Sequence, residues 1–332
     1  MNTLRAYFIF ICILAVVTTC HGQATSELFE FEKGDILTYE ITIDFTQNGR
    51  SDSYEDEQSY SNEIIIEGQY LLYLSLAVGE NYGEYFELRL TYDSLKARYD
   101  SMIADSTTSL EILALHDRLQ IYRNDSLIDL YDPVTANTAG TSELYQKLLF
   151  VGEPIVMLAY PSGEIFNLLE NKNLYQMARE LFNYPASGFL QISLPDQAQT
   201  GQAEWEEAVS GNSLAGFELE KSLPPLIFDY KLRKWDKITA INYSGELEID
   251  DFTSSAGTPD FENRLMLSAD LIEISKSGAV EFSTGRMISN DFTFDMKARL
   301  NLKGDEFESF ELFQDIVYKS NTRIRLINVI DQ

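Results

Sequence analysis

Cysteine is almost absent from this 332-residue chain: Cys12 and Cys20 are the only two, and both lie in the first twenty residues. Histidine is as scarce, with His21 and His116. If the first 22 residues are removed, as argued below, the remaining chain has no cysteine and a single histidine. That excludes disulfide staples, the usual zinc ligand sets, Cys–His dyads and paired-imidazole chemistry. A Ser–His–acid triad would have to use His116, at the centre of "LALHDRLQI", a strand-like stretch that favours a structural histidine. Positive charge is also short: 25 basic against 53 acidic residues, a net charge of −28. Such a surface repels nucleic acid, and no nucleic-acid partner is expected. The sequence contains no Gly-x-Ser-x-Gly elbow, phosphate-binding glycine loop, dinucleotide fingerprint or His-Glu-x-x-His. No catalytic residue, metal ligand or cofactor is therefore assigned, the chain is not expected to be an enzyme, and ligand-binding residues are unknown at this stage.

What is present begins with a leader. Arg5 precedes an apolar run from Ala6 to Val17, followed by small and polar residues, the order of a secretory signal peptide. Cleavage after Gly22 would leave Gln23 as the N-terminus of an exported protein, periplasmic or extracellular. A second reading treats Val17-Thr18-Thr19-Cys20 as a lipoprotein box with lipid on Cys20, although Thr19 stands where a smaller residue is usual. Beyond the leader no run is long enough for a transmembrane helix, so no such span is expected in the mature chain.

Period-two alternation dominates the rest. "DFTFDMKARLNL" places Phe292, Phe294, Met296, Ala298, Leu300 and Leu302 on one face and polar residues on the other, a strand with one wet and one greasy face. "LTYEITIDFTQ", "EIIIEGQYLLYLSLAVGE" and "EYFELRLTYDSLKARYD" read the same way. "SLEILALHDRLQIYRNDSLIDLYDP" reads as a hairpin pair turning at Arg123 to Ser126. The intervening "NGRSDSYEDEQSYSNE" is polar and acidic and reads as a hairpin tip or loop. In the middle the period changes. "SELYQKLLF" and "NLYQMARELF" have helical spacing, predicting helices near 142–150 and 172–183, the second with a stripe of Leu174, Met177, Ala178, Leu181 and Phe182. The expected organisation is a signal peptide (1–22), an N-terminal β-rich domain (23–135), a helix-bearing connecting segment (136–185) and a C-terminal β-rich domain (186–332). The fold class is mainly β (α+β), with antiparallel curved sheets or half-open barrels.

Carboxylates are too abundant for any pair to carry weight as a glycosidase acid and base. The acidic runs Asp52, Glu55, Asp56, Glu57 and Glu246, Glu248, Asp250, Asp251 lack the spacing of a calcium loop. Trp205 and Trp235, near turns, are the best candidates for a sugar-stacking platform, although core or edge packing is the better reading of each.

Two stretches carry a resemblance. "GEPIVMLAYPSGEIFNLLENKNLYQMARELF" gives strand, Pro/Ser-Gly turn, strand and helix, and "LPDQAQTGQAEWEE" leads from Leu194-Pro195-Asp196 to Gly201 and Trp205. The later "SADLIEISKSGAVEFSTGRMISNDFTFDMKARLNL" places Gly285 before a long strand. This order resembles an uncharacterised family of exported bacterial β-rich proteins, although Gln202-Ala203-Glu204 replaces the usual Asp-Ser before Trp205. In outline the family is similar to half-barrel envelope carriers of lipid or lipoprotein. The resemblance implies two β-rich halves around a helix-bearing middle and supplies no catalytic residues. The functional expectation is a non-enzymatic cell-envelope protein that binds a hydrophobic small molecule or an envelope protein. A glycan-binding module and a carboxylate-based glycoside hydrolase are the rival classes.

Overall fold

Alternating sequence of this length can satisfy its backbone only by pairing strand to strand, and the chain does so in a single antiparallel sheet. The structure is a computed structural model that describes residues 30–55, 58–103, 106–116, 118–131, 150–160, 163, 165–175, 204–209, 213–214, 217–257, 265–304 and 311–330. In chain order the strands are β1 (Ile36–Glu55), β2 (Gln58–Asn81), β3 (Phe86–Ile103), β4 (Ser106–Leu115), β5 (Arg118–Arg123), β6 (Ser126–Tyr131), β7 (Ile155–Ala159) and β8 (Ile165–Glu170). They continue with β9 (Glu204–Val209), β10 (Ser213–Leu214), β11 (Phe217–Leu219), β12 (Leu226–Trp235), β13 (Ile238–Gly257), β14 (Leu265–Ser283), β15 (Arg286–Gly304) and β16 (Glu311–Ile330). The main path runs β10-β11-β13-β14-β15-β16-β1-β2-β3-β4-β5-β6, and its two ends do not meet, so the sheet is not a closed barrel. The mainly-β class is thus observed. The helical content described is one turn at residues 172–175. Residues 142–149 and 176–183, the remainder of the two expected helices, lie outside the described residues, as do Met177, Ala178, Leu181 and Phe182.

The seven long strands β13 to β16 and β1 to β3 form the body, and the first and last strands of the chain pair at its centre, from Ile36↔Ile330 to Tyr54↔Glu311. Each flank then forks. The outer edge of β3 pairs β7 over Phe86–Leu90 and β4 over Ser94–Ile103, and the split falls where the β2–β3 register slips at Asp93. On the other flank β13 pairs β12 over Ile238–Glu246 and β11 at Ala256–Gly257, with Asp251 in the left-handed region (φ 56°) between them. Bulges add local twist and bend a strand, and here they mark the points where a wide sheet divides.

One face of the sheet is apolar and buried. Leu37, Tyr39, Ile41 and Ile43 on β1, Leu72, Leu74 and Leu76 on β2, and Met296, Ala298, Leu300 and Leu302 on β15 are all at most 9% exposed. The greasy face of the strand Phe292 to Leu302 is therefore core. It is filled row by row, with glycines making room for rings. A side chain at Gly68 would meet the Phe45 ring at 2.2 Å, and one at Gly278 would meet the Tyr243 Oη at 2.7 Å. Phe45 in turn packs on Tyr70 (5.6 Å), Tyr318 (6.0 Å) and Tyr99 (6.1 Å), and the Tyr99 hydroxyl donates to that of Tyr70 at 2.7 Å. The sheet curls around this face: Tyr39 of β1 reaches past β16 to donate to the Met287 carbonyl of β15. Buried Asp35, just before β1, pairs with Arg286 at 2.9 Å.

Two expectations are corrected. The acidic stretch from Asn48 to Glu63 is not a loop, because β1 and β2 continue through it in unbroken register, with Gly49↔Ile64, Ser51↔Asn62 and Ser53↔Tyr60 paired. Its backbone forms the ladder although neither face carries the apolar residues that make alternation visible. His116 is not central in a strand: it sits on the exposed turn after β4, beside Gly152, whose left-handed backbone (φ 87°) brings it within a Cβ's reach of the histidine.

Lys276 interrupts the apolar face. It lies on β14 between Ile274 and Gly278, with its Nζ 4.9 Å from the Phe292 ring centre and 5.9 Å from that of Tyr243. Burial pushes its ammonium down to about 8. An unfolded lysine titrates near ~10.4, so between about pH 8 and 10 the unfolded chain holds more protons and stability rises with pH. Below that window the cost of the charged form is fully present, offset in part by the two rings. Lys276→Met should therefore raise unfolding free energy at neutral pH by about 1–2 kcal/mol and flatten the rise. Denaturant titrations of both proteins at pH 7 and pH 9 check this, and a parent whose stability is level between those values would contradict it.

Candidate functional site: an apolar and aromatic rim

With the inner face filled, the surface that stands out is the end of the sheet where β1 begins. Backbone register places there the β2–β3 turn, the β7–β8 turn, the β12–β13 turn, the β14–β15 turn and the last residues of β16. Residue 30 arrives at the same end: its amide donates to the Gly285 carbonyl at 2.8 Å, and Phe31 packs edge-on to Phe86 at 5.3 Å. The chain that precedes it carries the apolar run Ala6 to Val17.

Large apolar side chains are exposed at this end. Tyr82 is 52% exposed, Phe166 42%, Trp235 46% and Ile327 50%, with Tyr160 and Ile330 also exposed. Four of the rings form a ladder across two turns. Tyr82 lies 4.9 Å from Tyr85, Tyr85 meets Phe166 edge-on at 5.3 Å, and Phe166 stacks on Tyr160 at 4.6 Å. The turns that hold them are tight. The Gly83 amide donates to the Asn81 side chain, and the Gly163 amide to the Tyr160 carbonyl, each glycine having positive φ.

The charge at this end also differs from the rest of the chain. The β12–β13 turn reads "KLRKWDK", and Arg233, Lys234 and Lys237 are exposed around Trp235 and form no ion pair among the described residues. Lys231, further down β12, is paired with Glu204 at 3.4 Å, and Lys33 with Glu80 at 2.5 Å.

The two tryptophans of the sequence reading part company. Trp205 lies half-buried against the core, with one face of its ring stacked on Tyr230 at 5.1 Å and 4°. Trp235 is on the rim. Glu246, Glu248, Asp250 and Asp251 are exposed along the outer face of β13. On that outer face a shallow trough of about 660 Å³ crosses five strands between Arg98 and Asp295, lined by Asp44, Glu67, Asp100 and Lys319. Its groups are tied to one another: Arg98 pairs with Asp100 at 3.1 Å and Gln69 donates to Asp44 at 2.7 Å. The carboxyls of Asp52, Asp100 and Glu311 are held below the ordinary carboxylate range by hydrogen bonds from Ser61, Ser109 and Lys303 respectively. That is the opposite of what a general acid requires.

Sequence reading singled out Trp235 but not Tyr82, Tyr85, Tyr160 or Phe166. Their membership of one patch depends on the β3–β7 pairing, which no local pattern announces. The basic turn around Trp235 was readable as a dense run of cations in an acidic chain.

No family model matches the sequence, and neither does any curated protein. Among solved structures the chain is similar to one described by its lipid–protein interactions in lipovitellin, at 11% identity and a TM-score of 0.46, over 91% of this chain and 26% of that one. It is also similar to an outer membrane channel from Pseudomonas putida F1, at 8% identity and a TM-score of 0.20 (91% and 98% covered), and to the outer membrane protease OmpT from Escherichia coli, at 7% and 0.19 (90% and 99% covered). The chain thus spans about a quarter of the lipovitellin chain it is similar to. These neighbours are β-rich, and at such scores the likeness carries no functional weight.

Proposed function

We propose that this chain is an exported cell-envelope protein that works by binding rather than catalysis, and that its apolar and aromatic rim is the surface that engages a hydrophobic partner. The observation that carries this reading is the ladder Tyr82, Tyr85, Phe166 and Tyr160, in which Tyr82, Phe166 and Tyr160 are exposed and Tyr85 is half-buried, on a protein that buries a large apolar face. Contiguous exposed apolar surface of this kind marks an interaction site. The leader supports export. The rings stack on one another instead of lying in a plane, so their faces are already occupied, which disfavours a sugar platform.

Association of the mature chain with neutral dodecyl maltoside micelles tests the reading. The double variant Tyr82→Ser/Phe166→Ser should bind at least about fivefold more weakly than the parent, the loss of about 1 kcal/mol expected for uncovering two exposed rings. Both proteins begin at Gln23, without the apolar leader, so the difference belongs to the rim. A Leu127→Ser/Ile128→Ser control, removing equally exposed residues from β6, should bind as the parent does. Equal binding by all three proteins would overturn the proposal.

A further inference from the structure

We infer that the hydrophobic partner of the rim is an anionic lipid–water interface, with Trp235 entering the headgroup layer and Arg233, Lys234 and Lys237 contacting lipid phosphates. The inference rests on the binding role proposed for the rim and adds the identity of its occupant.

Three observations lead there. The first is composition. Tryptophan and tyrosine with a few aliphatic residues, flanked by arginine and lysine, suit the boundary where hydrocarbon gives way to charged headgroups. Trp235 is 46% exposed and its cationic neighbours are exposed and unpaired among the described residues. The second is shape. The exposed groups are spread along the edge of a wide sheet, from the tips of β7 and β8 to the end of β16 and the β12–β13 turn. Such a row fits a plane better than it fits the concave surface of a protein pocket. The third is the position of the N-terminus. Residue 30 is fastened to the Gly285 turn in this rim. The ten residues that separate Cys20 from Glu30 span at most about 35 Å. On the reading that carries lipid on Cys20, this end of the sheet is therefore kept within reach of the bilayer.

The net charge of −28 opposes this partner, but distance decides. A twenty-residue strand is about 65 Å long, whereas charges are screened over about 8–10 Å at physiological ionic strength. Carboxylates at the far ends of β1, β13 and β16 are several screening lengths from a surface touching the rim. Asp236 is the one acidic residue within the turn from Arg233 to Lys237, so the local balance is positive. Glu30, Glu32, Glu80 and Glu84 are also exposed at this end, Glu80 paired with Lys33, so it is the β12–β13 turn, and not the whole rim, that meets the anionic surface.

The test is co-sedimentation of the mature chain with vesicles of phosphatidylcholine alone and of an equal mixture with phosphatidylglycerol. The parent should bind the mixed vesicles at least about tenfold more tightly, as about 1 kcal/mol per cation near an anionic surface implies. The gain should disappear at about 1 M salt, where screening shortens to about 3 Å. Arg233→Ser/Lys234→Ser/Lys237→Ser should lose most of the gain while retaining its binding to neutral micelles. Trp235 emission should shift to the blue on mixed vesicles, and Trp205→Phe should keep that shift. Equal binding of parent and triple variant to both vesicle types would overturn the lipid inference and point the rim to a protein partner. Unaltered micelle binding by Tyr82→Ser/Phe166→Ser would instead remove the underlying binding role, so the two failures are distinguishable. Tyr82, Phe166, Arg233, Lys234 and Lys237 are surface-exposed and Trp205 is half-buried, and unchanged far-ultraviolet circular dichroism confirms that the variants fold.

Discussion

Raising the pH from 10 to 12 should unfold this protein in one steep step. Tyr39, Tyr92 and Tyr99 are buried and Tyr243 and Tyr318 partly buried; loss of solvent holds the hydroxyls of the first four far above the ordinary tyrosine range and pushes Tyr318 up to about 12. In the unfolded chain all five release their protons near ~10. Above that value the folded state retains protons that the unfolded state has lost, so stability falls as pH rises. Each group contributes about 1.4 kcal/mol per pH unit, or about 7 kcal/mol per unit for five, against a total stability of about 5–15 kcal/mol. Tyrosinate absorbance should rise in two stages: the exposed tyrosines first, without loss of β-sheet dichroism, then the buried ones together with the dichroism. A single smooth titration near pH 10 with the sheet intact would show that these hydroxyls are not sequestered as the structure has them. The gain expected from Lys276 between pH 8 and 10 precedes this fall, so stability should peak near pH 10.

Phe45→Ala should cost about 3–5 kcal/mol, the range for deleting a buried ring that its surroundings cannot replace. The reason lies across the strand. Gly68 has no side chain because the Phe45 ring occupies that space. Removing the ring therefore leaves a void bounded by Tyr70, Tyr99 and Tyr318, which are held in place by their own packing and by the Tyr99–Tyr70 hydrogen bond. The same geometry predicts a change of sign. Gly68→Ala should destabilise the parent by about 1–3 kcal/mol, since its methyl collides with the ring, but should stabilise the Phe45→Ala protein by partly filling the void. Unfolding free energies of the four proteins in this cycle decide it. Additive effects would mean that ring and glycine do not share the space.

Much of this fold could be read from alternation alone. Leu88, Leu90 and Tyr92, and Met296 through Leu302, face the core as their spacing requires. The turn at Asn124 and Asp125 has the paired positive φ angles that such residues tolerate. What escaped reading is non-local or chemically quiet. The continuation of β1 and β2 past Asn48 is specified by pairing between polar residues, which leaves no apolar rhythm. The forks at Asp93 and Asp251 arise where a broad twisted sheet must divide, a property of many strands together. The rim falls in the same class. Each of its rings sits in an ordinary-looking strand or turn, and only the assembled sheet brings Tyr82 beside Phe166.

The pairing of β1 with β16 has a consequence in time. The two strands that meet at the middle of the sheet are the first and the last of the described strands. Ordering so long a loop before its ends make contact is slow, and sheets dominated by such contacts fold late relative to their synthesis. The body of the sheet cannot assemble until β16 is available. Until then β1 and β15 each present an open edge. A chain so arranged remains threadable for as long as it is incomplete, which is the condition that passage through a membrane in extended form demands.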